Sequence, residues 1–140
     1  MKLRHLCLSL ISAAALASCG NSATAEQRTD ATNTTPDNGE VVKLTSNTTI
    51  SPDKKLPIVI DFNATWCGPC QRFAPIFEAV AKEYGDKAIF MSVDVDVAPN
   101  AAHQFEVTAI PQVSILMPDG NVTSTVGFME KSQFLQFLNF

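Results

Sequence analysis

Two cysteines separated by two residues are the part of this sequence with the clearest capacity for chemistry. They are Cys67 and Cys70, within the segment WCGPC at residues 66–70. Cysteines at this spacing supply half of a zinc site, form a fixed structural disulfide, or cycle between a dithiol and a disulfide. The surrounding residues, and the elements that must position them, favour one of these three.

Zinc and a purely structural disulfide are the less favoured alternatives. A zinc site needs further ligands, and in residues 41–140 the only other Cys or His is His103. A disulfide that closes so short a loop constrains the unfolded chain little. The spacing therefore favours reversible redox chemistry, without a metal or another cofactor.

A strand leads into the cysteines and a helix leads out of them. Residues 57–64, PIVIDFNA, form a nearly continuous apolar run, which is typical of a strand buried on both faces. After Cys70, apolar side chains recur at helical spacing until Gly85, a residue type that commonly ends a helix. These apolar residues are Phe73, Ile76, Phe77, Val80, Ala81 and Tyr84.

The helix assigns different positions to the two cysteines. Cys70 lies on the extension of the apolar stripe, whereas Cys67 lies one turn earlier, where we expect it at the exposed tip. Side chains three apart on a helix have Cβ atoms about 5–6 Å apart, so a disulfide needs little adjustment. The unpaired N–H groups and the dipole of the helix N-terminus stabilise a thiolate, which predicts that Cys67 is the nucleophile.

The other predicted elements complete an α/β domain over residues 41–140. Residues 47–53, NTTISPD, are rich in turn formers and predict at most a weak helix. The residues DGN at 119–121 predict the turn of an antiparallel hairpin. The remaining expected elements are an edge strand in 41–45, a strand in 88–97, a short helix from Pro99, and a final helix with an apolar face of Phe134, Phe137 and Leu138.

The segment IDFNATWCGPC at residues 60–70, followed by Pro75 and by AIPQV at 109–113, resembles the thioredoxin family. The resemblance spans residues 41–140. It implies a five-stranded mixed β-sheet flanked by about four α-helices, with a cis peptide bond before Pro111 facing the dithiol. It also implies that Cys67 attacks the substrate and that Cys70 is the resolving thiol.

One acidic residue, Asp61, lies inside the apolar strand. A carboxylate is costly to bury, so we expect a raised pKa; a solvated strand end is the alternative. The resemblance implies that Asp61 is a general base that takes the proton of Cys70. Two positions differ from the family: Asn63 stands where a second Trp is usual, and Ser92 where a Lys near the acid is common. Without that Lys, we expect nothing nearby to offset the desolvation of Asp61.

The resemblance further implies an apolar rim that docks an extended substrate strand. Backbone near Ala109 and Ile110 pairs with that strand in this interpretation, as in β-augmentation. The rim residues are Trp66, Gly68, Pro69, Ile110, Pro111, Val126 and Gly127.

The first residues, 1–19, have the pattern of an export signal. Two cations in MKLRH precede an apolar run of eleven residues, LCLSLISAAAL, which is too short for a permanent bilayer span. LASC at 16–19 resembles a bacterial lipobox, which predicts cleavage before Cys19 and its lipidation. The alternative is cleavage after Ala25, which leaves a soluble periplasmic protein.

Residues 20–40 contain no aromatic side chain and no Val, Ile, Leu or Met, which predicts a flexible tether. The chain carries 10 Lys and Arg against 14 Asp and Glu, for a net charge of −4. Loss of Lys2 and Arg4 with the signal leaves 8 cations and a net charge of −6. This acidic balance argues against a surface that binds nucleic acid.

Together these features predict an exported protein-disulfide reductase that acts as a monomer on disulfide-containing exported proteins. A membrane-embedded thiol carrier is the expected electron donor, because cytosolic nicotinamide-linked reductases cannot reach this compartment. Gly68-Pro69 between the cysteines and Ile110 before Pro111 look like a reducing thioredoxin. Two alternatives remain open. One is an oxidant or isomerase with the same fold, since direction depends on the redox potential, and the other is a binding module with an incidental dithiol.

Overall fold

Five strands and three helices follow one another in residues 39–140, the part of the chain that the computed structural model describes. The strands are β1 (Val42–Leu44), β2 (Ile58–Asn63), β3 (Ile89–Asp94), β4 (Gln112–Leu116) and β5 (Val122–Val126). The helices are α1 (Gly68–Tyr84), α2 (Pro99–Gln104) and α3 (Lys131–Leu138). None of these described helices is both long enough and apolar enough to cross a membrane. The export signal at 1–19, the lipidation of Cys19, the cleavage after Ala25 and most of the tether at 20–40 lie outside the described residues.

The strands form one mixed sheet in the order β1-β3-β2-β4-β5. β1, β3 and β2 are parallel to one another, and β4 is antiparallel to both β2 and β5. β2 lies in the centre, and its residues from Ile58 to Phe62 are buried. Because both faces of β2 are covered, its sequence is nearly continuously apolar. The predicted fold class, central strand, edge strand and hairpin are confirmed.

The described residues contain three helices, whereas the resemblance implies about four. Between β1 and β2 the chain forms no helix. Ile50 there exchanges two hydrogen bonds with the side-chain amide of Gln104, each 2.7 Å long. Asp53 Oδ1 accepts from the backbone N–H groups of Lys55 and Leu56. Side chains that bond to the backbone in this way compete with helix formation, in agreement with the turn-rich sequence of this segment.

Helix α1 packs on the sheet through its predicted apolar stripe. Its buried members are Phe73, Phe77, Val80 and Ala81. The ring centroid of Phe134 in α3 lies 5.2 Å from that of Phe73 and 5.7 Å from that of Phe77. This aromatic packing fixes the position of the N-terminal half of α1, and therefore of the two cysteines.

The two faces of β2 pack against different clusters. Val59 belongs to the cluster under α1 and α3, whereas Ile60 and Phe62 belong to the cluster around α2. Successive side chains of a strand point to opposite faces, so Asp61 shares the face of Val59 and lies under α1. The strand and the helix thereby bring the buried acid and Cys70 to one cavity.

Gly85 ends α1, and its lack of a side chain allows a close approach of the chain at Gly39. A Cβ at Gly85 lies 2.3 Å from the Gly39 Cα and 3.0 Å from the Ala81 carbonyl oxygen. The φ of Gly85 is −64°, which alanine adopts freely. If the Gly39 contact were absent, Gly85→Ala would therefore be expected to stabilise the folded protein by about 0.4–1 kcal/mol. We predict that Gly85→Ala instead lowers the free energy of unfolding by about 1–3 kcal/mol, because the added methyl group overpacks the contact with Gly39.

Urea unfolding of the oxidised protein measures this difference. Gly68→Ala is the matched control, because a Cβ at Gly68 meets no atom of the described residues within 4 Å. We expect the control to change the free energy of unfolding by less than about 1 kcal/mol. A stabilising Gly85→Ala variant contradicts the close-approach explanation.

Candidate functional site

Cys67 and Cys70 form a disulfide at the N-terminus of α1. The S–S distance is 2.07 Å and the Cα atoms are 5.3 Å apart. Cys67 is the N-cap residue, and its Sγ accepts a hydrogen bond of 3.3 Å from the backbone N–H of Cys70. The predicted position of both cysteines around the first helical turn is confirmed. An N–H group that already points at the Cys67 sulfur stabilises negative charge on that atom.

The predicted exposure of Cys67 is wrong for the disulfide form. Cys67 is only 5% exposed and Cys70 is 2% exposed. Both pack with Ala64, and Val95 and Ile110 cover the pair. The two cysteines therefore differ less in exposure than in their relation to the helix, since Cys67 caps it and Cys70 lies within it.

The chain segments around Pro111 and Gly127 lie beside one another near the dithiol. The peptide bond between Ile110 and Pro111 is cis, as the resemblance implies. The Gly127 backbone N–H donates to the Pro111 carbonyl oxygen at 2.8 Å. Gly127 has a φ of 109°, a conformation that favours glycine. Ile110 is half-buried and contacts the disulfide, whereas Pro111 is buried.

Several residues of the predicted docking rim are exposed around the disulfide. The Trp66 side chain is 70% exposed and Val126 is 55% exposed, and Gly68 and Pro69 are exposed as well. A cavity of about 380 Å³ extends from Trp66 to Ile110 and is lined mainly by apolar side chains. The exposure of this apolar surface agrees with the predicted rim, and its role in substrate docking stays a prediction.

Asp96 is a site residue that the sequence reasoning missed. Its Oδ2 accepts a hydrogen bond of 2.8 Å from the Trp66 indole Nε1, which orients the exposed ring. The two residues are far apart in the chain, but Asn63 of β2 and Asp94 of β3 are register partners at the ends of parallel strands. Residues that follow two paired strand ends lie close together. The pairing of these two parallel strands is the feature from which the contact between Trp66 and Asp96 could have been predicted.

Asp61 is buried, with only 2% of its surface exposed, which removes the alternative of a solvated strand end. Burial raises the pKa of Asp61 from its ordinary value of 3.8 to about 7. A hydrogen bond of 3.0 Å from Asn63 Nδ2 to Asp61 Oδ2 acts in the opposite direction. Asp61 Oδ1 has no hydrogen-bond partner within the described part of the chain.

The expectation that nothing nearby offsets the desolvation of Asp61 is therefore wrong. The Asn63 amide nitrogen also lies 2.9 Å from Ser92 Oγ. Asn63 and Ser92, the two positions that differ from the family, are thus hydrogen-bonded to each other beside Asp61. The Asn63 amide, which is neutral, donates to the Asp61 carboxylate. A neutral amide stabilises a carboxylate less than a cation does, so the pKa of Asp61 remains raised.

A cavity of about 370 Å³ connects Asp61 with Cys70 and Ser92. It is polar on the Asp61 side and large enough to hold water molecules that bridge the acid and the thiol. Among the described residues, no group of three or more His, Cys, Asp or Glu side chains is arranged to hold a metal ion. The arrangement provides two sulfur atoms within bonding distance of each other at a helix N-terminus, and a buried carboxyl group that lines the same cavity as Cys70.

Comparisons with known proteins cover the same region of the chain. The thioredoxin family profile matches residues 40–140. A thioredoxin of Staphylococcus epidermidis is 35% identical over 99 residues, which cover 71% of this chain and 95% of the relative. A thioredoxin of Staphylococcus haemolyticus is 40% identical over 81 residues, with 58% and 78% covered. The crystal structure of Malassezia sympodialis thioredoxin (Mala s 13) is 32% identical, with a TM-score of 0.62, and covers 72% of this chain and 90% of that one.

Asp61 is expected to make the stability of the oxidised domain depend on pH. Its pKa is raised from 3.8 to about 7 by folding, so the folded state is favoured when Asp61 is protonated and loses this advantage as pH rises to about 7. The full loss is on the order of 4 kcal/mol. We predict that Asp61→Asn becomes progressively more stable than the wild type between about pH 4 and pH 7.

Urea unfolding of the oxidised proteins at about pH 4, 6 and 8 measures this divergence. Asp86→Asn is the control, because it removes an exposed carboxylate and is expected to leave the difference from wild type nearly constant. A constant difference between Asp61→Asn and wild type across this range contradicts the raised pKa.

Proposed function

Because this chain belongs to the thioredoxin family and is a thiol–disulfide oxidoreductase, we propose that it is a protein-disulfide reductase working outside the cytoplasm. Its substrates are proteins that contain disulfides. The observation that carries the proposal is the Cys67–Cys70 disulfide at the N-terminus of α1, joined by one cavity to a buried acid. These positions support the roles that we propose for the three residues.

The first step is attack by the Cys67 thiolate on one sulfur of a substrate disulfide. A new S–S bond forms between Cys67 and the substrate, the substrate S–S bond breaks, and the other substrate sulfur leaves as a thiolate. Cys67 is assigned this role because its sulfur caps the helix and already receives the Cys70 N–H. The exposed apolar surface around Trp66 and Val126 holds the substrate chain during the attack.

The second step resolves this mixed disulfide. Asp61 accepts the proton of the Cys70 thiol through the shared cavity, and the resulting thiolate attacks the Cys67 sulfur. The Cys67–Cys70 bond forms, and the bond between Cys67 and the substrate breaks. The second substrate sulfur then leaves as a thiolate and takes up a proton. Two electrons have passed from the dithiol to the substrate, and no metal or prosthetic group takes part.

The proposed location follows from the first forty residues. The signal at 1–19 exports the chain, lipidation of Cys19 anchors it, and the tether at 20–40 separates the domain from the membrane. Cleavage after Ala25 is the soluble alternative. In either case the domain is separated from cytosolic nicotinamide-linked reductases, so a membrane-embedded thiol carrier supplies its electrons. The likeness to reducing thioredoxins at Gly68-Pro69 and Ile110 supports the direction of this flow.

Reduction of insulin disulfides in the presence of dithiothreitol tests the activity. We predict that Cys67→Ser lowers the rate by at least about a hundredfold, because the attacking thiolate is gone. Reduced Cys70→Ser, mixed with insulin after dithiothreitol has been removed, should retain the attack and accumulate a mixed disulfide with the substrate that is detectable by mass. Mixed disulfides trapped by Cys67→Ser instead would contradict the assignment of the nucleophile.

Equilibration with defined ratios of oxidised and reduced dithiothreitol or glutathione tests the direction. A potential close to that of thioredoxins, about −270 mV, supports the reductase, whereas a value close to that of strong periplasmic oxidants, about −120 mV, identifies an oxidant. If the protein with both cysteines intact reduces no disulfide, the result supports the alternative of a binding module with an incidental dithiol.

The proposed anchor predicts where the protein is found in cells. Wild-type protein should partition with membranes, whereas Cys19→Ser should be released or remain unprocessed, because the lipid-bearing sulfur is missing. Membrane fractionation and mass analysis of the N-terminus measure both effects. Cys7→Ser is the control, because Cys7 leaves with the signal in either cleavage scheme. A soluble wild-type protein that begins at Glu26 would show cleavage after Ala25 and contradict lipidation.

A further inference from the structure

Lys43, Ser92 and Asp61 lie side by side on three neighbouring strands. Lys43 of β1 is the register partner of Ser92 in β3, and Ser92 is the register partner of Asp61 in β2. Directly paired residues of neighbouring strands point to the same face of a sheet. The Lys43 side chain therefore lies on the α1 face with Asp61, and two strand spacings, about 10 Å, separate their Cα atoms.

The same three residues line the cavity that reaches Cys70. Helix α1 covers this cavity and contributes one further charged residue, Glu78. The titratable side chains around it in the described chain are thus Asp61 of β2, Lys43 of β1, and Cys70 and Glu78 of α1. Lys43 and Glu78 are exposed, whereas Asp61 is 2% exposed. The cavity runs from a buried acid to the exposed Lys43 and Glu78, which also line an adjoining cavity together with Glu40 and Lys82.

We propose that Lys43 and Glu78 are positioning residues that act on the proton affinity of Asp61 through this cavity with opposite signs. The Lys43 ammonium stabilises the Asp61 carboxylate, and the Glu78 carboxylate destabilises it. Lys43, which lies one strand further from Asp61 than Ser92 does, thus supplies a positive charge that the neutral Ser92 does not provide. The functional consequence rests on the proposed role of Asp61 as the base for Cys70.

Two features of Asp61 make it sensitive to the charges at the cavity mouth. Within the described chain, Asn63 is the side chain that donates a hydrogen bond to the Asp61 carboxylate, through Oδ2, and Oδ1 has no protein partner there. Solvent also screens charges less at a buried site than at the surface. The mouth is distinct from the docking rim, since Trp66, Ile110 and Val126 do not line this cavity. Asp61 therefore remains coupled to solvent and to both charges while a substrate protein occupies the rim.

Titration of Asp61 in the oxidised protein tests the coupling directly. The isotope-labelled side-chain carboxyl carbon of Asp61, followed by NMR against pH, reports its protonation without any turnover. Lys43→Gln should raise the pKa of Asp61 by about 0.5, and Glu78→Gln should lower it by a similar amount. Lys54→Gln is the matched control, because it removes the same charge from an exposed residue that does not line the cavity, and it should leave the titration within experimental error.

The pH dependence of resolution tests the consequence. Reduced protein is mixed with an aryl disulfide, and release of the second aryl thiol reports the attack of Cys70 on Cys67. The rise of this rate with pH should move upward in Lys43→Gln and downward in Glu78→Gln, and both movements should vanish in an Asp61→Asn background. Both substitutions moving the Asp61 titration in one direction, or neither moving it more than Lys54→Gln does, would overturn the inference. Opposite shifts in the titration, together with resolution that Asp61→Asn leaves unchanged, would support the coupling and refute the general-base role.

Discussion

Aromatic packing beneath α1 is the constraint on which the chemistry of this domain depends. The ring of Phe73, three residues after Cys70, is fully buried against Phe77 and Phe134. A shift of α1 along its axis, or a rotation about it, exposes this ring and costs several kcal/mol of apolar burial. The helix N-terminus therefore has one position, with Cys70 inside the first turn and Cys67 capping it. Reactivity of the dithiol is in this sense a property of the core.

Asp61 is the residue of β2 whose burial opposes folding. Every other residue from Ile58 to Phe62 adds apolar burial, whereas one oxygen of the acid has no hydrogen-bond partner among residues 39–140. Such residues persist at functional sites, where the rest of the fold offsets their cost. The hydrogen bond from the Asn63 amide lowers the cost of burying Asp61 without removing it. A cation in the same place would stabilise the carboxylate more strongly and make it a weaker base at neutral pH. A neutral donor keeps the pKa of Asp61 at about 7, where a base for a thiol proton is most effective.

Local patterns were sufficient to predict the elements that carry the site. The apolar run of β2, the stripe of α1 and the turn at Asp119-Gly120 each encode their own structure within a few residues. What could not be predicted depends on segments far apart in the chain. Cys67 is buried because Val95 and Ile110 come from separate loops, and only the tertiary fold brings them over the disulfide. The two hydrogen bonds between Ile50 and Gln104, which are more than fifty residues apart, likewise form only in the tertiary fold.

The charge that faces Asp61 from β1 illustrates how an electrostatic feature follows from apolar patterning. β1 has only three residues, Val42–Leu44. Its two apolar side chains pack against the cluster around α2, together with Ile60 and Phe62 of β2. Alternation then requires Lys43 to point to the opposite face, under α1, and a slip of one residue reverses all three side chains. The register of a short edge strand, set by two apolar contacts on one face of the sheet, thus determines which charge the buried acid meets on the other.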